Sequence, residues 1–204
     1  MFAKFDNKNN FKLLCELVQS SDNTGSQRFN PAVARQSGRS TLHNERSFMK
    51  PNIGISDKNR KAVSAMLADL LADEVALYVA TRGAHWNVVG PNFGALHGFF
   101  ESQYEALDDI LDDVAERIRA LGATAPASVG AYAKAKSIDD SAGDAGSATV
   151  MIEKLLAAHE VIIRELRSVA AKAGEHGDEG TADFLVGLME THEKMAWMLR
   201  SHLE

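Results

Sequence analysis

From Ser56 onward the apolar residues recur at intervals of three and four, and no stretch shows the period of two that marks a half-buried strand. This pattern predicts four long helices. The first follows Ser56 as N-cap and carries Val63, Met66, Leu67, Leu70, Leu71, Val75 and Tyr78 on one face, ending between Gly83 and Val88. A turn, NVVGPNFG, leads into a second helix over about 95–121, closed by Gly122 at the C′ position. The third begins near Ser147 with Val150, Met151, Leu155, Ile162, Leu166 and Val169, and stops at Gly174. The fourth starts around Thr181 and carries Phe184, Leu185, Leu188, Met189, Met195, Leu199 and Leu203.

The connection between the second and third helices, residues 123–147, is rich in Gly, Ala and Ser and longer than a hairpin needs. It has room for a short helix at Val129–Lys136. Two short links and one long central crossover describe an all-α, four-helix bundle of ferritin-like connectivity over residues 51–204. Residues 1–50 read differently. Ser20–Met49 mixes Ser, Asn, Gly, Arg and Gln with almost no periodic apolar positions, so it is expected to be a flexible arm. Phe11, Leu13, Leu14, Leu17 and Val18 could line one short amphipathic helix ahead of it, of a length that is marginal alone. Met49 offers a second start site, which would make everything before it an upstream mis-start.

Composition is that of a globular protein, 45% hydrophobic and 25% charged. A single cysteine, Cys15, excludes a disulfide framework and a Cys-based zinc ribbon and points to a reducing compartment. The net charge of −6 hides a division, because residues 1–50 hold eight Lys/Arg against four acids while the remainder holds fourteen against twenty-four. A basic arm precedes an acidic body. No apolar run approaches the roughly 20 residues that span a bilayer, and charges interrupt what would be a signal peptide's core. The chain is expected to be soluble, cytoplasmic and without a membrane partner, with an organellar transit peptide as the other reading of its Arg- and Ser-containing arm.

A bundle of this shape suggests a carboxylate metal centre, but the Glu-x-x-His pairs of the intra-bundle di-iron type do not occur. The zincin pattern also fails, since His159-Glu160 and His192-Glu193 lack the second histidine. What remains is His85, His97, Glu101, Asp112 and Glu116. His97 and Glu101 are four apart, as are Asp112 and Glu116, so each pair shares one helix face. The pairs are nevertheless roughly 16 Å apart along the helix, too far for one ion. Two copies of the helix meeting antiparallel about a two-fold axis remove the conflict, because His97 with Glu116 and Glu101 with Asp112 share one midpoint beside Leu107. Each resulting site would take two imidazoles and a carboxylate from one subunit and two carboxylates from its neighbour. Such mixed N/O ligands suit Fe(II), Mn or Zn. Charged pairs at this spacing also occur on ordinary solvated helix faces, and spacing alone leaves both readings open.

At these residues the sequence becomes recognisable. His85-Trp86-Asn87-Val88-x-Gly90-Pro91-x-Phe93, Leu96-His97-x-x-Phe100-Glu101 and Asp112-x-x-Ala115-Glu116-Arg117-Ile118-Arg119-x-Leu121-Gly122 closely resemble the Dps mini-ferritins. Resemblance continues through Thr181-Ala182-Asp183-Phe184-Leu185 and Glu193-Lys194-x-x-Trp197-Met198-Leu199, and leaves the arm outside. It implies a hollow homododecamer in which two Fe(II) at each intersubunit ferroxidase site are oxidised, preferably by hydrogen peroxide, and stored as ferric mineral. The family's ligands fall on His85, His97, Glu101, Asp112 and Glu116, with Glu101 one methylene longer than the Asp of some members. Trp86, beside His85, is placed either as a sacrificial electron donor or as a large core or interface aromatic.

The family's second activity, sequence-independent DNA binding with nucleoid association, would depend here on the basic arm, since the acidic body repels phosphate. It forms the alternative reading, a nucleoid-compacting protein with the metal site secondary. His159 and His192 lie among apolar residues and read as hydrogen-bonded core or interface histidines. Glu153, Glu160 and Glu165 line the third helix, as an acidic pore ring or a solvated face. Met195, Trp197 and Met198 read as packing.

Overall fold

The computed structural model describes residues 49–144 and 146–204; the arm, its short amphipathic segment and Cys15 lie outside them. Five α-helices follow in order: α1 (Asp57–Asn87), α2 (Phe93–Ala120), the short α3 (Val129–Ala135), α4 (Ala148–Glu175) and α5 (Glu179–Ser201). There is no strand among the described residues. α1 pairs with α2 and α4 with α5, and α1 also packs on α4. The result is the four-helix bundle with a long crossover that the apolar periodicity predicts.

Every helix but α2, whose Asn92 makes no side-chain cap bond, begins where a short polar side chain accepts from a free backbone N–H. Ser56 Oγ accepts from Asn59 N at 3.2 Å, Ser128 Oγ from Ala131 N at 3.2 Å, and Ser147 Oγ from Val150 N at 3.4 Å. Asp178 caps α5, so this helix starts at Glu179, ahead of the expected Thr181. Asp178 is also a junction. Its carboxylate accepts from Thr181 N at 3.0 Å, Thr181 Oγ1 at 2.6 Å and Arg117 Nη2 at 2.8 Å, tying α5 to α2.

At the same end of the bundle Arg60, buried at the start of α1, donates to the Leu121 and Ile55 carbonyls and to Asp57. Gly122 ends α2 at φ +87°, a left-handed conformation with the Pro51 ring packed where a Cβ would sit.

The core runs between the helices as Leu67, Leu70, Leu77, Phe100, Leu107, Val114, Leu155, Ile162, Leu166, Leu185 and Leu199, all with no exposed surface. α1 is more deeply buried than its single predicted stripe implies. Ala72, Ala76 and Ala80 on its other side are also covered, because α3 and the 3₁₀ turn Ser141–Asp144 of the crossover lie against it. Two contacts hold the crossover there. The buried Asp73 carboxylate accepts from the backbone N–H groups of Ser137 and Ile138 and from Ser137 Oγ. Farther along, Gly143 meets Gly83 so closely that a Cβ on Gly143 would lie 2.7 Å from the Gly83 Cα, and Asn87 Nδ2 donates to the Gly143 carbonyl at 2.8 Å.

His159 and His192 are core residues as expected, and the structure adds a partner. Their Nδ1 atoms are 3.0 Å apart, and His192 Nε2 lies 3.0 Å from Oε1 of Glu74, a carboxylate with no exposed surface. The His192–Glu74 contact is off the line of the N–H, so it is a close approach of two buried polar groups and not an aligned hydrogen bond. Burial, and then the adjacent His192, push the His159 imidazole well below its ordinary range and keep it neutral.

The acidic line expected on the third helix does not share one environment. Glu153 is exposed, Glu160 accepts from Arg200 at 2.8 Å, and Glu165 turns toward α1. There burial, a hydrogen bond with Asp73 and the charges of Asp73, Asp69 and Glu74 push the Glu165 carboxyl up to about 7. The native state therefore holds a proton between pH 4.5 and about 7 that the unfolded chain has lost, and folding loses stability as pH rises through this window. Glu165→Gln should raise the melting temperature at pH 8 and leave it nearly unchanged at pH 5, as thermal unfolding at the two pH values would show.

Candidate metal centre

The link between α1 and α2 is only five residues long, and Gly90 at φ +117° with the Phe93 N–H bonded to the Gly90 carbonyl makes it a tight hairpin. The hairpin sets the last turn of α1 beside the first turns of α2. His85 and His97 are thereby stacked, ring centroids 3.7 Å apart at 21°. Each ring contacts the other residue's backbone. His85 Nδ1 is 2.8 Å from the His97 carbonyl, and His97 Nδ1 is 2.9 Å from the His85 carbonyl. A carbonyl oxygen only accepts, so both Nδ1 atoms must carry protons, and in the neutral rings both Nε2 lone pairs are left for a ligand. Phe93 stacks on the far side of His97 at 5.1 Å.

Glu101, one turn beyond His97, is exposed, and its Oε1 accepts a long 3.4 Å hydrogen bond from the Tyr104 hydroxyl. Asp112 and Glu116 lie farther along α2, both exposed. Asp112 opens onto a recess of about 400 Å³ whose lining includes Leu71, Val75, Asp108, Asp109 and Tyr132. One chain thus brings His85 and His97 together and keeps Asp112 and Glu116 apart from them. Among the described residues of one chain, no three His, Cys, Asp or Glu side chains converge at metal-binding distance.

Trp86 is 66% exposed, which removes it from the core of its own subunit. Trp197, read from the sequence as packing, is likewise 58% exposed, whereas Met195 is buried. Trp86 belongs to a group the sequence reading passed over. The Arg82 guanidinium lies over the ring of Tyr104 at 4.6 Å, of Tyr78 at 5.6 Å and of Trp86 at 5.9 Å, and Arg82 Nη1 donates to the Tyr78 hydroxyl. Tyr104 in turn meets His85 edge-on at 5.2 Å. Burial first, and the Glu101 carboxylate next, raise its phenol above the ordinary value. The signal was available in the spacing, since Tyr78, Arg82 and Trp86 recur every four residues and Tyr104 lies seven beyond His97.

A ferritin-like domain model matches residues 64–204. An uncharacterised low temperature-induced protein of Nostoc sp. is 46% identical over 154 residues, covering 75% of this chain and 86% of its own. The DNA protection during starvation protein of Brevibacillus brevis is 34% identical, covering 71% of this chain and 97% of its own. Among solved structures, a protein of Vibrio cholerae O1 superposes with a TM-score of 0.72 at 32% identity, over 77% of this chain and 99% of its own. That structure is described as a DPS protein, a member of a broad superfamily of ferritin-like diiron-carboxylate proteins.

Proposed function

Because this chain belongs to the Dps family of ferritin-like proteins, we propose that it oxidises Fe(II) with hydrogen peroxide at sites shared between subunits and stores the Fe(III) as mineral in a hollow dodecamer. The observation that carries this reading is the reciprocal bonding of His85 and His97, which fixes two imidazoles in the tautomer that presents Nε2. A second copy of α2, antiparallel about an axis beside Leu107, would add the partner's Asp112 and Glu116 to His85, His97 and Glu101. Exposed Val89, Phe93 and Trp86 surround the histidines and supply apolar surface for such a contact.

The donor set fits iron. Two neutral imidazoles hold Fe(II), and three carboxylates place negative charge where a third positive charge develops, favouring Fe(III). Zn or Mn could occupy the same ligands. Two Fe(II) each give one electron to hydrogen peroxide, the O–O bond breaks, and two protons taken from the medium complete two water molecules. Both electrons reach one peroxide, so no hydroxyl radical is released. Trp86, exposed beside His85, serves as an outer donor to oxidising equivalents that stray.

The alternative reading, DNA compaction, rests on the basic residues 1–50, most of which lie outside the described ones. No feature of the described residues favours it over iron oxidation. Anaerobic protein loaded with Fe(II) and titrated with peroxide should consume about two Fe(II) per peroxide without trapping hydroxyl radical. Consumption of one Fe(II) per peroxide, with a spin-trapped hydroxyl adduct, would contradict the ferroxidase reading.

A further inference from the structure

Peroxide that arrives when a site holds a single Fe(II) meets only one available electron, and the second must come from the protein or a hydroxyl radical escapes. We propose that Tyr104 supplies this second electron, an inference that rests on the ferroxidase reading above. Its ring centroid lies 5.2 Å from that of His85, edge-on and beside the residues that would hold the iron. Trp86 is directed outward and 66% exposed.

Proton placement makes Tyr104 the better donor. A phenol gives up an electron readily only if its proton leaves with it, and the Tyr104 hydroxyl already points to a base, the Glu101 carboxylate, at 3.4 Å. The Arg82 guanidinium over the same ring at 4.6 Å opposes any build-up of positive charge there. Electron and proton must therefore depart together. The step balances: Fe(II) and the Tyr104 phenol each lose one electron, the O–O bond of peroxide breaks, and two water molecules form. One of the protons consumed is the phenol's, passed through Glu101, and the other comes from the medium. The products are Fe(III) and a neutral tyrosyl radical. Tyr78, its ring centroid 6.3 Å from that of Tyr104, is the neighbour to which the radical could next move.

Only three tyrosines occur in the chain, so the assignment can be made by substitution. The full-length assembly, given one Fe(II) per site and excess peroxide, is frozen for electron paramagnetic resonance while iron oxidation and a hydroxyl spin trap are followed in parallel. The wild type should oxidise its iron and show a tyrosyl signal. Tyr104→Phe should retain iron oxidation, lose most of that signal and trap several-fold more hydroxyl radical. An undiminished signal and unchanged trapping in Tyr104→Phe would overturn the assignment, as would a wild type that oxidises iron without any tyrosyl signal. A wild type that fails to oxidise iron with peroxide would overturn the ferroxidase reading and this inference together.

Discussion

Asp112→Ala should reduce peroxide-driven Fe(II) oxidation at least about a hundredfold, and His97→Ala should do the same. Loss of an outer partner alone typically costs metal sites 10- to 100-fold, so a direct ligand sets the larger end of that range. The two residues lie fifteen positions apart on α2, roughly 22 Å along its axis. A site confined to one chain would leave one of these substitutions without effect. Asp112 is exposed and its replacement removes no core contact, so folding and helix content should be preserved in that variant. Stopped-flow absorbance of Fe(III) formation checks both variants, with circular dichroism as the control for fold.

The second large effect concerns stability. His192→Leu should destabilise the bundle by about 1–3 kcal/mol, because it strips the wholly buried Glu74 side chain of the polar group 3.0 Å from it. For a domain of this size that corresponds to a fall of roughly 5 °C in melting temperature. Glu74→Leu alone should cost less, since His192 keeps its contact with His159. Glu74→Leu combined with His192→Leu should recover most of the loss, because a hydrophobic pair of similar volume replaces two polar groups that burial strips of water. Melting curves at one fixed protein concentration test the three variants, since assembly would otherwise shift the transition by mass action.

The sequence was most informative where a periodic signal is strong. Ser56, Gly122 and the three-and-four recurrence of Leu67, Leu70, Leu155 and Leu166 place the helices to within a few residues, because caps and apolar stripes are local properties. The crossover was legible only as a long link. Its 3₁₀ turn is set by Asp73 and by the Gly83–Gly143 approach, contacts between residues 60 or more apart that leave no local trace. The same limit hid Glu74, which reads as one more acid on α1 until His192 is seen beside it.

At the metal centre, the i,i+4 spacing of His97 with Glu101 and of Asp112 with Glu116 was readable. So was the supply of two imidazoles by one subunit, and the structure places His85 and His97 in stacked contact. What spacing could not supply is the tautomer. That follows from two carbonyl contacts created by the hairpin, which leave the Nε2 lone pair of each neutral ring free. Tyr104 was missed for a different reason. Aromatic residues at helical intervals usually pack a core, and only its position between His85, Glu101 and Arg82 distinguishes it.

The central claim is that each site is divided between two subunits, and co-assembly of two inactive variants tests it most directly. A pair made of one His97→Ala and one Asp112→Ala subunit collects both lesions in one site and leaves the other with every ligand intact. Random mixing should therefore restore about a quarter of the wild-type rate of Fe(II) oxidation, while each variant assembled alone stays inactive. Mixed assemblies that remain as inactive as their parents would contradict a shared site.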